Sequence, residues 1–89
     1  MTAFCPVTHQ PDFYTVKIQY APNEQCIESK SLKLYLQSFR GEGKFAEQLA
    51  SEIAQDIHVQ VRPDWVRVVL TQHVRGGIEL KAIATVGEM

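Results

Sequence analysis

The chain has 89 residues, 45% of them hydrophobic and 21% charged, with a net charge of −1. This is the balance of an ordinary globular protein of one-domain size, with no general electrostatic pull toward nucleic acid. No apolar run reaches the length of a membrane span, and the first residues lack the basic-then-apolar pattern of a signal peptide, so a cytoplasmic protein with no membrane partner is expected. The two cysteines, Cys5 and Cys26, are too few for a disulfide scaffold, and no Cys/His spacing matches a zinc site, so free thiols and no metal are expected. A domain this small folds with little margin and gains much from oligomerisation.

In chain order, Cys5-Pro6-Val7-Thr8-His9-Gln10-Pro11-Asp12-Phe13 comes first. Its two prolines fix φ and remove donors, which predicts a rigid, irregular loop carrying a thiol and a carboxylate. Such a pair suits nucleophilic and proton-transfer chemistry, although this segment by itself favours Cys5 as a small buried apolar residue and Asp12 as a turn residue. Residues 13–20 (FYTVKIQY) alternate as a half-buried strand, closed by a turn at Ala21-Pro22-Asn23-Glu24. A helix is predicted over 31–40, with Leu32, Tyr35, Leu36 and Phe39 as its apolar stripe, Ser29 or Ser31 as its cap and Gly41 as its stop. A second helix is predicted over 44–58, where Phe45, Leu49, Ile53 and Ile57 recur every four residues and Ala46, Ala50 and Ala54 permit close packing. The link Gly41-Glu42-Gly43 makes the two helices an antiparallel hairpin. Strands follow at 65–72 and 78–85, with turns at Arg62-Pro63-Asp64 and at His73-Val74-Arg75-Gly76-Gly77, and 86–89 read as a frayed end. The order β-α-α-β-β is α+β: an antiparallel sheet of three strands, with a helix pair on one face and two exposed edges that invite pairing between subunits.

Several residues can carry chemistry. Glu28-Ser29-Lys30-Ser31-Leu32-Lys33 gathers serines and lysines at a helix start, where backbone N–H groups and ammonium charges attract anions; a solvated, capped helix start fits the same composition. Arg75-Gly76-Gly77 offers a guanidinium fork beside a flexible backbone, or simply a hairpin turn. Glu47 stands where a carboxylate can accept paired N–H donors from a purine-like ring, or where it complements the helix dipole. His9, His58 and His73 share no spacing suggestive of a metal or a triad, and are expected at the surface.

Taken together, these segments resemble the QueF-type 7-cyano-7-deazaguanine reductases. Cys5-Pro6-x-Thr8-x-Gln10-Pro11-Asp12-Phe13, the hallmark Glu28-Ser29-Lys30-Ser31-Leu32-Lys33-Leu34-Tyr35, Ser38-Phe39-Arg40, Phe45-x-Glu47 and Arg75-Gly76-Gly77-Ile78 occur in the family's order and span nearly the whole chain. The resemblance implies one tunnelling-fold domain over 1–89, whose sheets join into a pentameric barrel and a decamer. It implies NADPH-dependent reduction of a nitrile to an aminomethyl group on a deazapurine, by two hydride transfers, in queuosine-type nucleoside biosynthesis. Cys5 then takes the part of the nucleophile that forms a thioimide, and Asp12 that of the proton donor. Glu47, with Phe45, would hold the substrate's guanine-like edge; Glu28, Ser29, Lys30, Ser31 and Lys33 would bind NADPH, assisted by Arg75 and Gly76.

The chain departs from the family at Ala46, where a histidine is usual. It also begins four residues before Cys5, so the sheet is expected to be one strand short. Two other functions fit the same likeness: an amidinotransferase acting on 7-cyano-7-deazaguanine in nucleic acid, and a non-catalytic deazaguanine-binding protein.

Overall fold

Alternation of large apolar and polar residues along 13–20, beside a run along 65–72 that is apolar on both faces in its middle, builds the centre of a sheet, and a helix with an apolar face closes over one side of it. The computed structural model describes residues 1–4, 11–75 and 77–88. The elements are β1 (Thr2–Phe4), β2 (Pro11–Ala21), α1 (Ser29–Gln37), a 3₁₀ turn at Ser38–Gly41, α2 (Ala46–Val61), β3 (Trp65–Arg75) and β4 (Ile78–Gly87). The sheet has four strands in the order β1-β2-β3-β4, and every neighbouring pair is antiparallel.

The fourth strand corrects the expectation of a three-stranded sheet. Thr2 pairs with Phe13 and Phe4 with Pro11, and the Tyr14 amide donates to the Met1 carbonyl at 2.8 Å. Three residues are too few to show a period of two, so β1 leaves no readable pattern. At the other end of the chain, Val86 and Gly87 are not frayed: they pair with Val66 and Trp65. β3 likewise runs on through His73 to Arg75, shortening the expected turn, and its register against β4 shifts between Gln72 and Arg75 in a bulge.

α2 supplies most of the cover. Leu49, Ile53 and Ile57, with Ala46, Ala50 and Ala54 between them, are buried on Val66, Val68 and Leu70 of β3 and Ala82 of β4. The three alanines let the helix lie close to the strands, and each fully buried Leu, Ile or Val contributes about 1.5–3 kcal/mol. Phe45 is not part of this face, contrary to the four-residue period. Its extended backbone (φ −76°, ψ 156°) makes it the residue that precedes the helix, and it is 54% exposed. At its far end α2 continues past His58 to Val61 and stops at Arg62, whose left-handed backbone (φ 54°) lets its amide reach the His58 carbonyl at 3.1 Å.

α1 starts two residues earlier than expected and ends earlier as well. The Ser38 hydroxyl donates to the Tyr35 carbonyl, competing with the helical bond, and the chain tightens into the 3₁₀ turn. No residue of α1 is fully buried, although Tyr35 and Leu36 pack against the core. Among the described residues no helix covers the opposite face of the sheet. Phe13, Thr15, Lys17 and Gln19 of β2 are exposed there, with Lys81 and Ile83 of β4.

Gly87 closes the corner where β4 ends against the turn into β3. Its φ is +93°, and a Cβ there would lie 2.4 Å from the Asp64 carbonyl oxygen and 2.9 Å from the Trp65 Cα, both backbone atoms that cannot swing aside. Gly41 has nothing within 4 Å of the same position. Chemical denaturation should show Gly87→Ala less stable by at least about 1–3 kcal/mol, and Gly41→Ala within about 0.5 kcal/mol of the parent.

Candidate functional site

Glu28 rather than either serine caps α1: its carboxylate accepts from the Ser31 amide, and its carbonyl accepts from the Leu32 amide at 3.0 Å. Ser29, Lys30, Ser31 and Lys33 all stand exposed on the first two turns. At 100° per residue, Ser31, Leu32 and Tyr35 share the side of α1 that looks toward α2, while Lys30 and Lys33, three residues apart, share the other. The hallmark motif is thereby sorted into two faces. Glu28, Ser31 and Leu32 line a groove of about 350 Å³, whose far wall is Ile57, Gln60 and Val61 of α2; Lys30 and Lys33 project outward.

Few contacts hold α1 in this pose. The Ile27 amide, just before the helix, donates to the Tyr20 hydroxyl at 3.0 Å. Near its end, the Tyr35 hydroxyl donates to Asp56 Oδ2 on α2 at 2.6 Å, and the Tyr35 ring meets buried Phe39 edge-on at 5.2 Å. Burial above all, then the hydrogen bond to the Asp56 carboxylate, raises the Tyr35 phenol pKa well above its ordinary value, so Tyr35 remains a donor. Lys44 lies 5.6 Å over the Phe39 ring and is paired with Glu52 and, at 3.2 Å, with Glu42. Its pKa is raised, chiefly by the hydrogen bond to Glu52. Tyr35 was legible in the sequence as a stripe residue and as the end of the hallmark motif, and nothing there singled out Asp56 as its partner.

The other candidates gather at the opposite end of the sheet. Glu47, exposed, is the second residue of α2, directly after buried Ala46 and close to exposed Phe45. α2 turns at 62–64 into β3 and runs antiparallel to it, so the start of α2 lies beside the end of β3. Asp12 is placed at that end by its β2 backbone, opposite Ala3, and Arg75 by its β3 backbone, opposite Ile78. Cys5 and Gly76 lie outside the described residues, as does His9. His73, a surface residue as expected, meets the Thr15 hydroxyl at 2.9 Å on the uncovered face at this end. The groove beside Ser31 reaches Gln60 of α2, which at about 1.5 Å per residue is roughly 20 Å from Glu47 along the helix. One chain therefore carries its Asp12–Glu47 end and its Lys30–Lys33 end well apart. No cluster of three or more metal-ligating side chains occurs among the described residues.

Comparison with known proteins decides the family. The model of the QueF-like protein family matches residues 11–89. This chain belongs to that family. A curated family relative from Anaeromyxobacter sp. (strain Fw109-5), named NADPH-dependent 7-cyano-7-deazaguanine reductase, is 51% identical over 98% of this chain and 71% of its own length. One of the same name from Alkalilimnicola ehrlichii is 45% identical over 93% of this chain and 64% of its own length. Among solved structures, the crystal structure of the archaeosine synthase QueF-Like in the apo form superposes with a TM-score of 0.93, covering 99% of this chain and 87% of that one. At 24% identity that likeness establishes the fold, an antiparallel sheet with two helices of the α+β class expected from the sequence.

If the Glu28 carboxylate holds the first turn of α1, Glu28→Ala should lower stability by about 0.5–2 kcal/mol in chemical denaturation, while Glu28→Asp, a strong capping residue, should recover most of the loss.

Proposed function

We propose that this chain is an NADPH-dependent 7-cyano-7-deazaguanine reductase, converting a nitrile on a deazapurine to an aminomethyl group in deazaguanine nucleoside biosynthesis. The observation that carries the reading is the 51% identity to a reductase of that name over 98% of the chain. The hallmark Glu28–Lys33 motif on exposed turns of α1 supports it further.

In this reading the Cys5 thiolate adds to the nitrile carbon, so that a C–S bond forms and C≡N becomes C=N, while the nitrogen takes a proton from Asp12. The covalent step converts a poor hydride acceptor into an imine-like one. Glu47 accepts hydrogen bonds from the guanine-like edge of the substrate, and exposed Phe45 offers a ring beside it. The donor set on α1 suits a phosphate-bearing cofactor: Lys30 and Lys33 are exposed cations on one face and Ser29 adds a hydroxyl; Arg75, with Gly76 next to it in sequence, would assist. Two hydrides, which NADPH supplies when bound, and two protons balance the reduction of R–C≡N to R–CH₂–NH₂.

Two features favour a homo-oligomer. The outer edge of β4 is unpaired among the described residues over ten residues, as is the β1-side edge of β2 beyond Tyr14, and such edges are templates for another copy. Lys30 and Lys33 also face away from their own chain's groove and stand far from its Asp12–Glu47 end. A neighbouring copy in a barrel would bring the two ends together. No helix among the described residues is long and apolar enough to cross a membrane, and a cytoplasmic location is part of this proposal.

Mixing the protein with 7-cyano-7-deazaguanine, without NADPH, should yield a thioimide adduct visible by absorbance and by mass. Cys5→Ala should abolish it, and an adduct at full yield in that variant would remove Cys5 from the role. Adding NADPH should then give substrate-dependent oxidation; an adduct without oxidation would refute reduction.

A further inference from the structure

α1 carries the cofactor motif, yet it has no fully buried residue to fix its rotation about its own axis. Its entrance is held by Ile27 on the Tyr20 hydroxyl. At its other end the polar tie to α2 is the hydrogen bond from Tyr35 to Asp56, 2.6 Å long and partly buried, between residues 21 apart in sequence. Tyr35 lies one helical turn beyond Ser31 on the same side, and both line the groove with Asp56. Phe39, buried at 2% exposure, backs the tyrosine ring edge-on at 88°. A ring pinned at its hydroxyl and at its edge has little freedom to turn. The helix that bears it is then fixed in roll, and so is the direction in which Lys30 and Lys33 project from the opposite side.

We propose that Tyr35 and Asp56 are a positioning pair for the cofactor step: their hydrogen bond sets the roll of α1, and thereby the aim of Lys30 and Lys33 at the phosphates of NADPH. The inference deepens the reductase reading and rests on it for the identity of the cofactor. Within one chain both lie toward the groove end of α2, away from Glu47, and neither is among the residues assigned to the nitrile. Loss of the pair therefore weakens cofactor capture and spares the chemistry at Cys5. Asp56 accepts through a carboxylate oxygen, so an amide at this position keeps an acceptor while a methyl removes it.

The test uses the full chain in its native assembly, with Tyr35→Phe, Asp56→Ala, Asp56→Asn and the Tyr35→Phe/Asp56→Ala pair. NADPH affinity is read by direct titration of cofactor fluorescence, and separately as KM. Tyr35→Phe and Asp56→Ala should each weaken NADPH binding by about tenfold, the scale of one lost hydrogen bond to a charged acceptor. The double variant should be no weaker than the weaker single, because both remove the same bond, and Asp56→Asn should recover part of the loss. At saturating NADPH, kcat should stay within about twofold, and the thioimide should form without NADPH at the wild-type rate. Unchanged NADPH affinity in both singles would overturn the proposal. So would a parallel loss of adduct formation, which would mean general loosening of the fold. A wild-type protein that forms no adduct would sink the reductase reading, while weaker NADPH binding in the variants would still sustain the pair.

Discussion

The structure depends first on the burial of one helix face. Leu49, Ile53 and Ile57 of α2 sit on Val66, Val68 and Leu70 of the central strand, with Ala46, Ala50 and Ala54 keeping the backbone close to the sheet. Everything else is attached to this unit: β2 and β4 flank β3, the 3₁₀ turn packs Phe39 into the same core, and α1 leans on its rim. In so small a domain one face of one helix supplies much of the apolar burial available. Among the described residues, the other face of the sheet and both of its edges are left for other contacts.

The same arrangement dictates where chemistry can occur. Because α2 is antiparallel to β3, the start of α2, the start of β2 and the end of β3 come to one end of the sheet, bringing Glu47, Asp12 and Arg75 with them. Because α1 returns alongside α2, its first turn faces Gln60 and Val61, at the other end. The carboxylates proposed for the substrate and the lysines proposed for the cofactor are thus separated within a chain by the length of a helix. In the reading proposed here, the unpaired sheet edges and the outward lysines answer one another: pairing along the edges is what brings one copy's motif to another copy's nucleophile.

Much of this was legible in the sequence, for identifiable reasons. FYTVKIQY alternates strongly enough to mark β2, the apolar run of WVRVVLTQ between two turns marks β3, and the alanine-interleaved stripe marks the buried face of α2. Phe45 misled, because a four-residue period does not distinguish the last extended residue from the first helical one. β1 was missed, because three residues show no period, and Val86 and Gly87 were read as frayed although Trp65 and Val66 pair with them. The hallmark motif could be read as a unit, but not its division into a groove side and an outward side, which requires the position of α2. Nor did the sequence reveal that the Tyr35 hydroxyl has a partner, since Asp56 looks like any exposed acid on a helix until α1 is laid beside it.

The most direct test of a site shared between copies is complementation. In the proposed reading Cys5→Ala removes the nucleophile and Lys30→Ala/Lys33→Ala disables the motif, so each assembly alone should be unable to oxidise NADPH in the presence of the nitrile. Unfolding the two together and refolding them as mixed assemblies should restore part of the wild-type activity, because some interfaces then join an intact Cys5 to an intact motif. Mixed assemblies that form in full and remain as inactive as the separate variants would contradict the shared site, and with it the account of why the two ends of this chain lie apart.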